Sequence, residues 1–228
     1  MVQREFAALR HLRNRTNFTI PHPYFMGMPT KAFSRPWLML EWIDGDHTIG
    51  DRTAFAHDLG RCLKTLQALE PLTDMEPSGV NFFRGGDLTS WSASFEDALC
   101  GLPSGLAGAA QSAWQEAEVQ PFEGAPAWTH GDITPPNLLF REGALHALID
   151  WGLVSVGDPA CDLAIAWREF DAGERQIFFD ALRPDAGTIA RGKAWAVWKL
   201  ALLASGLAGE GGSDRKAAKA QLTEVLEV

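Results

Sequence analysis

Apolar residues recur with helical spacing at the start of the chain. Phe6, Leu9 and Leu12, with Ala7 and Ala8 between them, predict a helix over residues 3–14. Pro21-His22-Pro23 breaks it, and a short strand over 24–28 follows, with a turn about Pro29. The run Trp37-Leu38-Met39-Leu40-Glu41-Trp42-Ile43 reads as a buried strand ended by Asp44-Gly45-Asp46. Phe55, Leu59, Leu63, Leu66 and Leu69 then share one face of a helix over 52–69, closed by Pro71. Residues 71–90, rich in Pro, Gly and Ser, read as irregular. Residues 91–120 carry two helices interrupted around 101–105.

The pattern changes after residue 126. Ala127-Trp128-Thr129 is a short strand. Leu138-Leu139-Phe140, Arg141-Glu142-Gly143 and residues 144–149 predict a β-hairpin with a three-residue turn and glycine at its left-handed position. Helices are expected over 162–170, 174–182, 188–206 and 214–226. There are no internal repeats. The fold class is α+β, with one boundary near Gly45: a small strand-bearing segment over 1–44 and a mainly helical one over 45–228.

The 228 residues are 46% apolar, enough for a sizeable core. A formal net charge of -9 disfavours nucleic-acid binding, which relies on basic patches, and suits a cationic substrate. Cys62, Cys100 and Cys161 are scattered, form no CxxC pair and read as small buried residues in a reducing compartment. No apolar run approaches a membrane span, and the first residues carry no apolar leader. The expectation is a cytoplasmic protein without a membrane partner.

The candidate chemistry lies in His130-Gly131-Asp132-Ile133-Thr134-Pro135-Pro136-Asn137, the hairpin, and Ile149-Asp150-Trp151. Asp132 follows a strand in a loop stiffened by two prolines. Asn137 opens the hairpin and Asp150 closes it, so the fold of the hairpin returns them to one end. A three-residue turn puts Asn137 opposite Ala147 and leaves Asp150 three residues further along, roughly 10 Å, which a bulge would close. Two carboxylates and an amide oxygen are what phosphoryl transfer needs. Magnesium takes oxygen ligands such as Asn137 and Asp150, and a separate carboxylate, Asp132, orients the attacking hydroxyl and accepts its proton. The five-residue Asp-to-Asn interval is that of a kinase catalytic loop.

These motifs, with Gly157-Asp158-Pro159-Ala160-Cys161-Asp162-Leu163-Ala164, resemble the signature of aminoglycoside phosphotransferases, choline kinases and related small-molecule kinases. Further likenesses are Glu5-x-x-Ala8-Leu9-x-x-Leu12, Pro36-Trp37-Leu38-Met39-Leu40-Glu41-Trp42-Ile43-x-Gly45 and Asn81-x-x-Arg84-Gly85. The resemblance implies a protein-kinase-like fold that transfers the γ-phosphate of ATP, with Mg2+, to a small-molecule hydroxyl, aminoglycoside-like or another amino-alcohol. It implies Asp132 as base, Asn137 and Asp150 as metal ligands, and His130 and Asp162 as braces of the catalytic loop. Backbone groups near Glu41, Trp42 and Ile43 would hold the adenine, and Glu5 matches the glutamate that pairs with a phosphate-binding lysine.

The chain departs from the pattern at its start. Gly27 and Gly45 are the only glycines among its first 45 residues and Lys31 the only lysine, so a glycine-rich loop and a strand lysine are missing. The N-terminal lobe is therefore expected to be truncated. An upstream start, a truncation and a relic of low activity are the three accounts, of which the first is preferred because the catalytic residues are intact. The rival to the enzyme is a pseudokinase acting as a binding module; a metal-dependent hydrolase is a third reading.

Plainer readings stand beside these. An Asp in a Gly/Pro loop is ordinarily a turn former, and Asp132 escapes that reading by its spacing to Asn137, Asp150 and Asp162. His130 lacks Cys or His neighbours at zinc-like spacing, which favours a structural role. Asp162 also suits a helix cap. Asn81 and Arg84 are either loop residues or part of the substrate cleft. The nine tryptophans read as core rather than as a stacking platform.

Overall fold

A computed structural model describes residues 1–209 and 212–227. The elements run α1 (Val2–Leu12), β1 (Pro23–Gly27), β2 (Trp37–Leu40), α2 (Arg52–Gln67), α3 (Ser92–Cys100), α4 (Ser104–Glu118), β3 (Ala127–Thr129), β4 (Leu138–Arg141), β5 (Ala144–Leu148), β6 (Ser155–Gly157), α5 (Ile165–Arg168), α6 (Ala172–Leu182), α7 (Ala186–Ser205) and α8 (Gly212–Leu226). The α+β class is as expected. The strands form three two-stranded antiparallel pairs, β1–β2, β3–β6 and β4–β5.

Local chemistry sets the helix starts. Asp51 caps α2, its carboxylate accepting from the backbone of Thr53 and Ala54. Asp171 and Glu174 form a capping box at α6, and Asp185 caps α7. The helix expected over 162–170 begins instead as a 3-10 stretch, Pro159–Ala164, and becomes α-helical at Ile165. Pro159 supplies its N-terminal turn, where a missing N–H costs nothing.

The core is continuous from α1 through α2, the central hairpin and α7. Leu9, Leu12, Leu59, Leu63, Phe140, Trp151, Phe178 and Trp195 are all sealed within it. Trp114, Trp128 and Trp198 are buried too, so the tryptophans are mostly core. Cys62 and Cys161 are buried as expected, whereas Cys100 is exposed.

One expectation fails. Residues 37–43 do not form a buried strand: β2 stops at Leu40, its residues alternate between exposed and half-buried, and Trp42 is 86% exposed. The sole neighbour of β2 is β1, whose Tyr24 and Phe25 are themselves exposed. An apolar run is buried only if a layer covers both its faces, and among the described residues α1 covers part of one face alone. Among the described residues no helix is long and apolar enough to cross a membrane.

Candidate active site

Strand β3 pairs with β6 and delivers the chain into His130-Gly131-Asp132. Gly131 has φ +85°, and a Cβ there would lie 2.4 Å from the Leu153 carbonyl oxygen, so only glycine fits. The Asp162 carboxylate accepts from the backbone N–H of His130 at 2.7 Å and of Gly131 at 2.8 Å. Burial pushes the Asp162 carboxyl up to about 6, against the pull of those two N–H groups. His130 is fully buried. Its Nε2 lies 3.0 Å from the Ile149 carbonyl oxygen, which can only accept, so Nε2 carries the proton. Its Nδ1 then accepts from the Asp132 N–H at 3.3 Å. Burial pushes this imidazole down to about 4, leaving it neutral. The ring is a spacer between the loop over 131–137 and the hairpin.

Pro135, Pro136 and Asn137 make one 3-10 turn, closed by the Asn137 N–H donating to the Thr134 carbonyl at 2.9 Å. Thr134 is extended, as a residue before proline must be. The two prolines therefore set the turn without disturbing Asn137. Its Nδ2 donates to the Asp132 carbonyl at 2.9 Å and to Asp132 Oδ2 at 3.2 Å. That fixes the amide's orientation and leaves Oδ1 without a hydrogen bond among the described residues. The other oxygen of Asp132, Oδ1, lies 3.2 Å from Lys199 Nζ on α7. Sequence reasoning missed Lys199, whose signal was a lone cation in the apolar run Trp195-Ala196-Val197-Trp198-Lys199-Leu200. Burial lowers its pKa and Asp132 opposes the shift.

The hairpin differs from expectation in a way that helps the site. Its turn has two residues, Glu142 and Gly143, with φ of 53° and 78°. A bulge intervenes: Leu139 pairs with Ala147, yet Phe140 pairs with Leu145. Asn137 consequently faces Ile149, whose N–H donates to the Asn137 carbonyl at 3.0 Å, rather than Ala147. Asp150 follows at once, in a left-handed conformation (φ 62°, ψ 68°) that is uncommon outside glycine. The three-residue gap shrinks to one.

Asp150 lines a cavity of about 530 Å³ shared with Glu5, Leu40, Glu41, Trp42, Ile43, His47, Leu139 and Ile149. Asp150 and Glu41, Trp42 and Ile43 thus meet at one hollow, and Asp132, Asn137, His130 and Asp162 in one hydrogen-bonded cluster. The Asn137–Ile149 backbone bond joins the two groups. Burial, then the Asp150 charge, raises the pKa of Glu5, and the Trp151 backbone partly opposes the rise. No Lys or Arg lines the cavity among the described residues. A larger hollow of about 640 Å³, bounded by Thr16–Thr19, His57, Arg61 and His146, carries none of the expected side chains. Asn81 is buried, its Oδ1 accepting from Ser78 N–H and its Nδ2 donating to the carbonyls of Arg84 and Leu153, so it braces a loop rather than facing a ligand.

The profile of the phosphotransferase enzyme family (APH) matches residues 2–200. Aminoglycoside 3'-phosphotransferases of Escherichia coli and Salmonella typhimurium are each 36% identical over 77 residues, 33% of this chain and 26% of theirs. The match thus spans about a quarter of those curated relatives. Among solved structures, the GDP complex of wild-type aminoglycoside 2'-phosphotransferase-IIIa superposes with a TM-score of 0.71 at 15% identity, covering 98% of this chain and 81% of that one. The streptomycin-ATP-APH(2")-IIa ternary complex gives 0.59 at 20% identity, covering 99% and 79%. At such identities the likeness establishes a shared fold. With that fold and a family match over most of its length, the chain belongs to the phosphotransferase enzyme family.

Proposed function

We propose that this protein transfers the γ-phosphate of ATP to a hydroxyl group of a small molecule. The observation carrying this reading is the orientation of Asn137. Its nitrogen is held by both oxygen types of Asp132, so its Oδ1 is left as an open ligand atom beside the hairpin end that bears Asp150. A hard divalent cation takes such a pair of oxygens, and the donor set suits Mg2+. Asn137 Oδ1 and the Asp150 carboxylate would hold it; when bound it offsets the charge of the nucleotide phosphates. Asp132 orients the acceptor hydroxyl and takes its proton. His130 and Asp162 fix the loop that carries it, without reacting. The adenine lies against the backbone at Glu41, Trp42 and Ile43, on the wall of the same cavity. In this reading residues 1–44 belong to an N-terminal lobe, and 45–228 form the catalytic lobe.

A second reading, a binding module with weak nucleotide affinity, draws on the absence of any Lys or Arg among the described residues of the cavity. Glu5 and Asp150 would face the phosphates there with no Lys or Arg side chain on the described cavity wall. The experiment separating the two is ATP consumption with and without a panel of hydroxyl acceptors, for this chain and for Asp132→Asn. Acceptor-dependent turnover lost in the variant supports the kinase. Equal turnover in both proteins removes Asp132 from the base role.

A further inference from the structure

Arg84 is a half-buried cation that the phosphotransfer reading does not use. Its Cζ lies 5.2 Å from the Trp91 ring, 5.1 Å from Trp195 and 4.9 Å from Trp198. Its Nε and Nη1 are sealed from solvent without a partner, and no hydrogen bond joins Nη2 to any described residue. A guanidinium keeps its charge in proteins and carries five N–H donors. Aromatic faces attract the charge but satisfy none of those donors. Burying them unpaired is costly.

The residue sits beside the catalytic loop. A Cβ on Gly131 would come within 3.1 Å of the Arg84 Cβ. The Arg84 carbonyl accepts from Asn81 Nδ2 at 2.9 Å and from Ser155 Oγ at 2.6 Å, pinning the backbone to the end of β6. Lys199, one residue after Trp198 on α7, reaches Asp132 at 3.2 Å. Lys199 has that carboxylate as partner and Arg84 has none. Asp162, the other carboxylate nearby, is turned inward onto backbone N–H groups. Neither Arg84 nor Lys199 lines the cavity that holds Glu41, Trp42 and Asp150. The cations therefore lie by Asp132 and outside that cavity, where an acceptor held by Asp132 would reach them.

We infer that Arg84, backed by Lys199, is a subsite for an anionic group on the acceptor, so that the substrate is an alcohol bearing a carboxylate or phosphate and not a polycationic aminoglycoside. Nη2, the one guanidinium nitrogen that is not sealed, is the donor left to reach either oxyanion, in a charge-assisted hydrogen bond. The inference deepens the kinase reading and rests on it for the hydroxyl chemistry, though binding of the anion does not require turnover.

The test is a titration of the full chain at low ionic strength, followed by tryptophan fluorescence, since three tryptophans surround Arg84. D-glycerate probes the carboxylate, glycerol 3-phosphate the phosphate, and kanamycin the cationic alternative. We expect saturable binding of at least one anion and none of kanamycin. Arg84→Met should weaken anion binding by about tenfold to a hundredfold, the range for a charge-assisted hydrogen bond, with Arg84→Lys retaining part of the affinity. Should Arg84→Met fail to fold, Lys199→Met and Arg84→Lys carry the same comparison. ADP affinity should be unchanged in all three variants. Kanamycin binding tighter than both anions, anion affinity unaffected in the variants, or ADP affinity falling in parallel would each overturn the subsite. Anion binding without acceptor phosphorylation would instead defeat the kinase reading and leave the subsite standing.

Discussion

Two hairpins in this molecule have similar apolar sequences and opposite surroundings. Hairpin β4–β5 is flanked on both edges: Thr19 bridges to Ala147, and Asp46 bridges to Phe140. Its Leu138, Leu139 and Phe140 are all buried. Among the described residues no further strand lies on either edge of hairpin β1–β2, and Phe25, Trp37 and Met39 are exposed. The first carries Asn137 and Asp150 at its ends and is constrained by neighbours on both edges. The second forms one wall of a cavity and is held mainly by its own pairing and by α1. Preorganisation in this protein is concentrated on one side of the cleft.

The largest expected effect is on the constrained side. Asp132→Asn should lower acceptor-dependent ATP turnover by about 10²–10⁴-fold, the range for loss of a positioned general base, with little change in the unfolding midpoint. An unaltered rate would break the proposed role of the whole cluster. The next contrast sets the hairpins against each other directly. Phe140 packs edge-on against Phe55 at 5.2 Å between centroids and is sealed. Phe140→Ala should cost about 3–5 kcal/mol in urea unfolding. Phe25→Ala, in the open hairpin, should stay within about 1 kcal/mol. Equal losses would mean that β1–β2 is covered in solution.

This asymmetry also marks what was legible in the sequence. Helical periods placed α1, α2, α4, α6 and α7, because each buries one face in a core that exists. The same rule read residues 37–43 as a buried strand and was wrong, since periodicity reports a need for cover and not its presence. The motif residues 130–137 and 150 were legible by spacing. Their register was not, because a two-residue turn plus a bulge at Leu139/Phe140 moves the partner of Asn137 from Ala147 to Ile149, and nothing in the local sequence marks the bulge. Lys199 and Arg84 lie 67 and 48 positions from Asp132, and only the folding of α7 and the 71–90 segment brings them there. Strand β6 escaped notice because three residues give no period, although its pairing with β3 sets the catalytic loop.

The pH dependence of stability sharpens the comparison further, since two buried titrating groups face each other through the catalytic loop. His130 has a folded pKa of about 4, below its usual 6.5. The unfolded chain therefore takes up the proton first, and stability is lost as pH falls from about 6.5 to 4. Asp162 is raised from 3.8 to about 6. There the folded chain takes up the proton first, and stability is gained as pH falls from about 6 to 3.8. The two nearly cancel. In Asp162→Asn the compensation is gone, and acidification from pH 6.5 to 4 should cost about 3 kcal/mol more than in the parent, measured by urea unfolding at each pH. A parallel response of the two proteins would show that Asp162 is ionised throughout.

The smallest effect lies where the two regions meet, at Glu5 on α1. Burial and the Asp150 charge both raise its pKa, and the backbone N–H of Trp151 and the Met1 ammonium only partly oppose them. A carboxyl raised in this way favours the fold below its unfolded pKa and loses that contribution as pH rises through the folded one, so at neutral pH its charge is a burden. Glu5→Gln keeps the shape and can still accept from Trp151. It should raise stability at pH 7 by less than the ~1 kcal/mol typical of a single substitution, with no gain at pH 4. It should also leave acceptor-dependent turnover intact, because no lysine of the described cavity depends on that carboxylate for its position. A large fall in turnover would show that Glu5 holds a cation in the working enzyme, and the open side of the cleft would then be organised like the closed one.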